Sequence, residues 1–173
     1  MKNIFILLSI VMISLSCESP DSSPQVIGFT ASEDGKSNVL AGPSDILSVW
    51  ESYIDAHNSR DVEGIQALNS DEISVYGPAG EVIEGKEAHI EFLNQWFEAN
   101  NPNWTILWAI SNTGESNEYE GGVADFVTAG HELILNVEGQ DITVFQVIDA
   151  MISDGKVVSF NVYQQERGQA SNE

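Results

Sequence analysis

Residues 49–78 read VWESYIDAHNSRDVEGIQALNSDEISVYGP, and this stretch decides the fold. Val49, Trp50, Tyr53, Ile54 and His57 recur at helical spacing and, with Ile46 ahead of them, define one broad apolar face. Residues 58–60 interrupt that pattern. Asp61 is then placed to cap a short second helix carrying Ile65, Ala67 and Leu68. Residues 73–76 read as a strand, and Pro78, Ala79 and Gly80 as the turn that ends it.

Upstream, Ser44 stands where an N-cap is needed, with Asp45 in the positively polarised first turn. Downstream, residues 81–84 form a short returning strand, and Gly85 opens a third helix over residues 86–98. That helix carries Ile90, Leu93, Trp96 and Phe97 on its buried side and stops before Pro102. The remainder reads as long strands. Trp104, Ile106, Trp108 and Ile110 alternate with Thr105, Leu107, Ala109 and Ser111, which places the first four on one face. Residues 118–135 are extended and bent near Gly130. Residues 138–141 and the Asp154-Gly155 pair are hairpin turns, and the last two strands cover residues 143–152 and 157–164. Three helices followed by hairpin-linked strands give an α+β fold: helices packed in a curled antiparallel sheet over residues 44–166.

The flanks carry an address. Lys2 precedes an apolar run over residues 4–13, the length of a signal-peptide core and too short for a bilayer span. Ser14, Leu15 and Ser16 then lead to Cys17, the single cysteine of the chain. This resembles a bacterial lipoprotein cleavage box. It implies a signal over residues 1–16, lipidation of Cys17 and export. Glu18 after the cysteine points to the outer membrane of a Gram-negative cell. Residues 17–43 read as a flexible tether and 167–173 as a disordered tail. With one cysteine there is no internal disulfide, so the fold rests on its core.

Six Lys and Arg face 27 Asp and Glu, a formal net charge of −21. Such a chain offers no clustered cations for nucleic acid and none for anionic lipid, so any membrane contact is through the lipid anchor. His57, His89 and His131 are far apart in sequence, without the close-spaced ligand pair of a metal site. No phosphate loop, nucleophile elbow or dinucleotide fingerprint is present. No metal and no cofactor is expected.

The order of elements resembles the nuclear transport factor 2-like superfamily, which includes SnoaL-like polyketide cyclases and ketosteroid isomerases. Three stretches carry it: residues 49–78 quoted above, GEVIEGKEA in residues 80–88, and SDGKV in residues 153–157. The resemblance implies a cone-shaped fold whose helices and curled sheet enclose a cavity, and pairing of two copies through the outer sheet face. Against ketosteroid isomerases it sets Tyr53 at the position of the oxyanion-hole tyrosine. The base of those enzymes falls on Gly77, which has no proton-accepting side chain, and their second oxyanion donor falls near Ile148, one residue from Asp149. Steroid isomerisation by that route is therefore not expected.

Candidate site residues follow, each beside its plainer alternative. Tyr53, on a face with Trp50 and His57, either looks into the cavity or packs in the core. His131 is an acid–base group near the cone mouth, or part of a kink beside Gly130. Asp149, amid Val147, Ile148, Ala150 and Met151, is a catalytic carboxylate of raised pKa if it faces inward, or a solvated one if it faces out. Tyr76, Trp96, Trp104 and Trp108 are walls of a pocket for an apolar or ring-shaped ligand, or core filler. Three functions fit. The first is a lipid-anchored domain binding a small, largely apolar molecule. The second is a cyclase, isomerase or dehydratase using Asp149 or His131, with Tyr53 as donor. The third is a dimeric interaction module.

Overall fold

The computed structural model describes residues 23–116 and 122–166. Residues 1–16, expected to be a signal, Cys17 and residues 167–173 lie outside them. Among the described residues there are three helices: α1 (Asp45–Ser59), α2 (Val62–Leu68) and α3 (Lys86–Asn100). The eight strands are β1 (Val26–Ser32), β2 (Gly35–Ala41), β3 (Asn69–Tyr76), β4 (Val82–Glu84), β5 (Asn103–Glu115), β6 (Val123–Val137), β7 (Gln140–Ser153) and β8 (Lys156–Gln165). They form one curled, unclosed sheet in the order β1-β2-β5-β6-β7-β8-β3-β4. Pairing is antiparallel except where β3 runs parallel to β8. The helices pack into the concave face, giving the expected α+β cone. No helix among the described residues is long and apolar enough to cross a membrane.

Local sequence explains most element ends. Asp61 caps α2 by accepting from the Gly64 N–H at 2.9 Å. Glu138 and Gly139, and Asp154 and Gly155, all have positive φ, the geometry of tight two-residue hairpin turns. Ser44 differs from expectation: it precedes α1, but its side chain makes no capping bond, and only its carbonyl accepts, from Leu47 N–H.

Two expectations change in the strands. Residues 26–41, read as tether, form the β1–β2 hairpin, joined to β5 through Leu40 opposite Thr113 and Ala41 opposite Asn112. Both strands are largely exposed, so they lack the apolar alternation that marks a half-buried strand. The hairpin enters the domain at Gly42, where a Cβ would lie 2.7 Å from the Asn112 backbone. Only glycine fits so close a crossing.

The second change is in β5. Ile106 pairs with His131 and Trp108 with Gly130, so one residue of β5 is unmatched between them. This bulge reverses the facing of everything after it. Trp104 and Ile106 pack inward against the core, as does Ala109, while Trp108 (46% exposed) and Ile110 (51%) face out. Gly130 makes room for the bulge, since the Trp108 indole lies where its Cβ would be.

The core fills the concave side. Trp50, Tyr53 and Ile54 of α1, Leu93 and Phe97 of α3, and Val127, Ala129, Ile148 and Phe160 of the sheet are all buried there.

Candidate functional site

The end of α1 sets the site. Arg60 takes a left-handed backbone (φ 62°), and its guanidinium donates to the carbonyls of His57, Asn58 and Pro102 while covering the Phe97 ring at 4.9 Å. The Asn58 amide acts as a strand partner: its Nδ2 donates to the Trp104 carbonyl and its Oδ1 accepts from the Trp104 N–H, both at 2.8 Å. The NSRD stretch of residues 58–61 thus ties the start of β5 to the last turn of α1. His57 is held against Trp104, the ring centroids 5.8 Å apart. From the other side, Gly85 donates to the Ile73 carbonyl and starts α3, whose first turn delivers His89.

Between α1, α3 and the sheet lies a cavity of about 320 Å³. Trp50, Phe92, Trp96, Trp104 and Phe160 supply most of its aromatic wall. Glu81, the one carboxylate among the described lining residues, sits in the turn after β3. Its Oε2 accepts from the Ala79 N–H at 2.9 Å and occupies the space that a side chain on Gly77 would take.

A polar chain runs along the wall beneath. Tyr53 Oη donates to Asn69 Oδ1 at 2.7 Å, and Asn69 Nδ2 donates to His89 Nδ1 at 3.1 Å. His57 Nδ1 donates to the Tyr53 carbonyl at 2.7 Å. The two imidazole centroids are 6.2 Å apart. Tyr53, Asn69 and His89 are each 1% exposed and His57 6%. Burial dominates the titration of all three ionisable groups. It holds the Tyr53 phenol well above its usual range. It lowers His57 to about 4, against the favourable pull of the Tyr53 carbonyl and helped by nearby Arg60. It lowers His89 to about 3, helped by the proximity of His57. Across the cavity, Trp104 Nε1 donates to Gln146 Oε1 at 3.0 Å, and Gln146 Nε2 donates to Gln164 Oε1 at 2.8 Å. These hydrogen-bonded groups are uncharged, which leaves Glu81 as the one carboxylate among the described lining residues.

The sequence-derived candidates divide. Trp50, Tyr53, His57 and Trp96 line the cavity, and so does Trp104. Tyr76 does not: its neighbour Val75 faces the cavity, so Tyr76 falls on the other side of β3. Trp108 is turned out by the bulge. Asp149 also faces out. It is opposite Thr128, whose hydroxyl donates to its Oδ1 at 2.5 Å, and opposite Asn161, while its neighbours Ile148 and Ala150 are in the core. His131 is inward but closed off. It is 1% exposed, its Nε2 accepts from Trp50 Nε1 at 3.1 Å, and among the described residues its Nδ1 has no hydrogen-bond partner. Burial lowers it to about 4, so it is a neutral imidazole packed in the core and not a group at the cone mouth. Asn69 and His89 were not singled out from the sequence. Among the described residues no group of three or more His, Cys, Asp or Glu is arranged to hold a metal ion.

A family model described as a SnoaL-like domain matches residues 50–160, from the first aromatic residue of the α1 face into β8. The chain belongs to the SnoaL-like domain family. No curated protein sequence matches it. Solved structures share the SnoaL-like fold at low identity. A proposed ketosteroid isomerase of Kribbella flavida DSM 17836 is 16% identical with a TM-score of 0.59, over 77% of this chain and 87% of that one. A Mycobacterium tuberculosis protein in complex with estradiol-17β-hemisuccinate is 20% identical with a TM-score of 0.55, over 70% and 94%. A proposed SnoaL-like polyketide cyclase of Jannaschia sp. CCS1 is 16% identical with a TM-score of 0.56, over 70% and 86%. At these identities the likeness to the SnoaL-like domain is one of fold, and the site must be argued from its own residues.

Proposed function

We propose that this SnoaL-like domain binds a small, largely apolar, ring-shaped molecule in its cone, and that the protein is exported and anchored at the outer membrane through lipidated Cys17. The observation that carries the binding reading is the aromatic cavity of about 320 Å³, a volume within the range of small-molecule sites. The estradiol derivative held by the Mycobacterium tuberculosis protein supports a ring-bearing occupant. Asp149 lies outside the cavity and His131 is closed off in the core, so neither supplies an acid–base group there.

Three of the four tryptophans, Trp50, Trp96 and Trp104, line the cavity. Titration with the neutral probe N-phenyl-1-naphthylamine is therefore expected to quench most of the intrinsic fluorescence. Val162→Trp, which fills the cavity from β8, should weaken binding at least tenfold, of order 1.4 kcal/mol. Asp149→Asn, on the outer face, should leave it unchanged. Binding that survives Val162→Trp would place the probe elsewhere and remove the reading.

A second reading, self-association into a homodimer, is favoured by the outer sheet face. Trp108, Ile110, Val147 (39% exposed) and Tyr163 (63%) stand there across β5 to β8. Apolar side chains grouped on a face in this way are typical of a covered surface. Light scattering at micromolar protein is expected to give twice the chain mass, and Ile110→Asp with Tyr163→Asp should restore the monomer. A wild-type monomer under those conditions would reject this reading.

A further inference from the structure

The hydrogen-bond directions in the polar chain fix which nitrogen of each cavity histidine carries its proton. A carbonyl can only accept, so His57 Nδ1, 2.7 Å from the Tyr53 carbonyl, holds the hydrogen, and His57 Nε2 is a bare lone pair. Among the described residues the Tyr53 hydroxyl hydrogen has one partner, Asn69 Oδ1. Turning the Asn69 amide over would face an N–H₂ to that hydroxyl and strand the phenol hydrogen in the core. The amide nitrogen therefore faces His89 Nδ1, where it can only donate. His89 Nδ1 is bare, and the hydrogen is on His89 Nε2.

Among the described residues neither Nε2 has a hydrogen-bond partner. Neither is among the sealed orphan atoms of the described residues, which are Ser70 Oγ and His131 Nδ1. Both rings line the cavity and both residues are more than nine-tenths buried. The cavity wall thus presents one acceptor, His57 Nε2, beside one donor, His89 Nε2–H, with ring centroids 6.2 Å apart. The neighbouring Tyr53 and Asn69 polar atoms are already engaged with each other, and so are those of Trp104 and Gln146.

We infer that this pair selects a neutral hydroxyl group on an apolar ring system, an alcohol or phenol that donates to His57 Nε2 and accepts from His89 Nε2–H. A ketone or an ether can only accept, so it leaves His57 Nε2 unsatisfied. An ammonium can only donate and leaves His89 Nε2–H unsatisfied. A carboxylate would also have to shed its hydration in a pocket whose two imidazoles are uncharged. One hydroxyl satisfies both orphans at once.

The inference rests on the reading of the cone as a binding cavity, and three related probes separate the two. Calorimetric titration of the full chain would use naphthalene, 2-methoxynaphthalene and 2-naphthol. All three should bind, and 2-naphthol should bind about tenfold tighter than the other two, the effect of two modest hydrogen bonds on one group. In His57→Phe, which keeps a ring in place and removes the acceptor, the preference over 2-methoxynaphthalene should fall to within about twofold, since both oxygens can then only accept from His89 Nε2–H. Nitrogen NMR of the imidazoles supplies a measurement that does not depend on any variant folding: His57 should be the Nδ1–H tautomer and His89 the Nε2–H tautomer. Equal affinity for all three probes would overturn the hydroxyl inference and leave the cavity reading intact. Failure of all three to bind would overturn both, and reversed tautomers would overturn the donor–acceptor assignment itself.

Discussion

Replacing Asn69 by leucine is expected to destabilise the fold by about 3–5 kcal/mol, measured by urea denaturation at neutral pH. The two side chains have similar size, so the change removes polarity with little change in volume. Asn69 is the middle of a chain in which it accepts from Tyr53 and donates to His89. Its loss leaves a phenol hydroxyl and an imidazole nitrogen unpaired in the core, each costing about 1–3 kcal/mol. Tyr53→Phe leaves only Asn69 Oδ1 unpaired and should cost less than half as much. Asn69→Asp is the sharper test of direction. A carboxylate can accept from Tyr53 but has nothing to donate to His89, so the imidazole should move its proton to Nδ1 and lose its Nε2 donor. Leucine costing under about 1 kcal/mol would mean that water reaches these groups and that the chain is not what orders the site.

The parts of this structure written in local chemistry are visible in the sequence. The helical face of Trp50, Tyr53, Ile54 and His57, the Asp61 cap and the Asp154-Gly155 turn depend on residues a few positions apart, and each forms as expected. What pairing decides is not visible. The run from Trp104 to Ile110 has a large apolar residue at every second position, and that repeat carries straight across the unmatched residue between Ile106 and Trp108. That residue follows from the register β5 must keep with β6, and it alone moves Trp108 from the cavity to the outer surface. Asp149 illustrates the other failure. Its neighbours Val147 and Met151 are apolar although they share its face, because the outer face of the sheet is itself apolar around Trp108, Ile110 and Tyr163. A strand apolar on both faces has no legible inside. His89 could have been found. It precedes Leu93 by four residues and Phe97 by eight, on the same buried stripe of α3, and the resemblance of residues 80–88 to the superfamily already brought that helix to the cone. Taking the three histidines as a failed metal set hid the fact that two of them meet.

The largest effect of solution conditions should come from the same histidines. His57 and His131 are held at about 4 and His89 at about 3, all by burial, against about 6.5 in an unfolded chain. Above pH 6.5 neither state binds protons at these rings, and they contribute nothing to the pH dependence. As pH falls below 6.5 the unfolded chain takes up three protons that the native core refuses, so stability is lost with acid and regained with base. By pH 5 each ring costs about 2 kcal/mol relative to pH 7, and the three together several kcal/mol, of order half the stability of an ordinary domain. Urea midpoints at pH 7, 6 and 5 should therefore fall progressively, and His57→Phe should reduce the steepness by about one proton's share. A flat profile would mean that the imidazoles are wetter than their burial indicates. They could then be charged in mildly acidic surroundings, and the two uncharged imidazoles on which selection of a neutral hydroxyl depends would be lost.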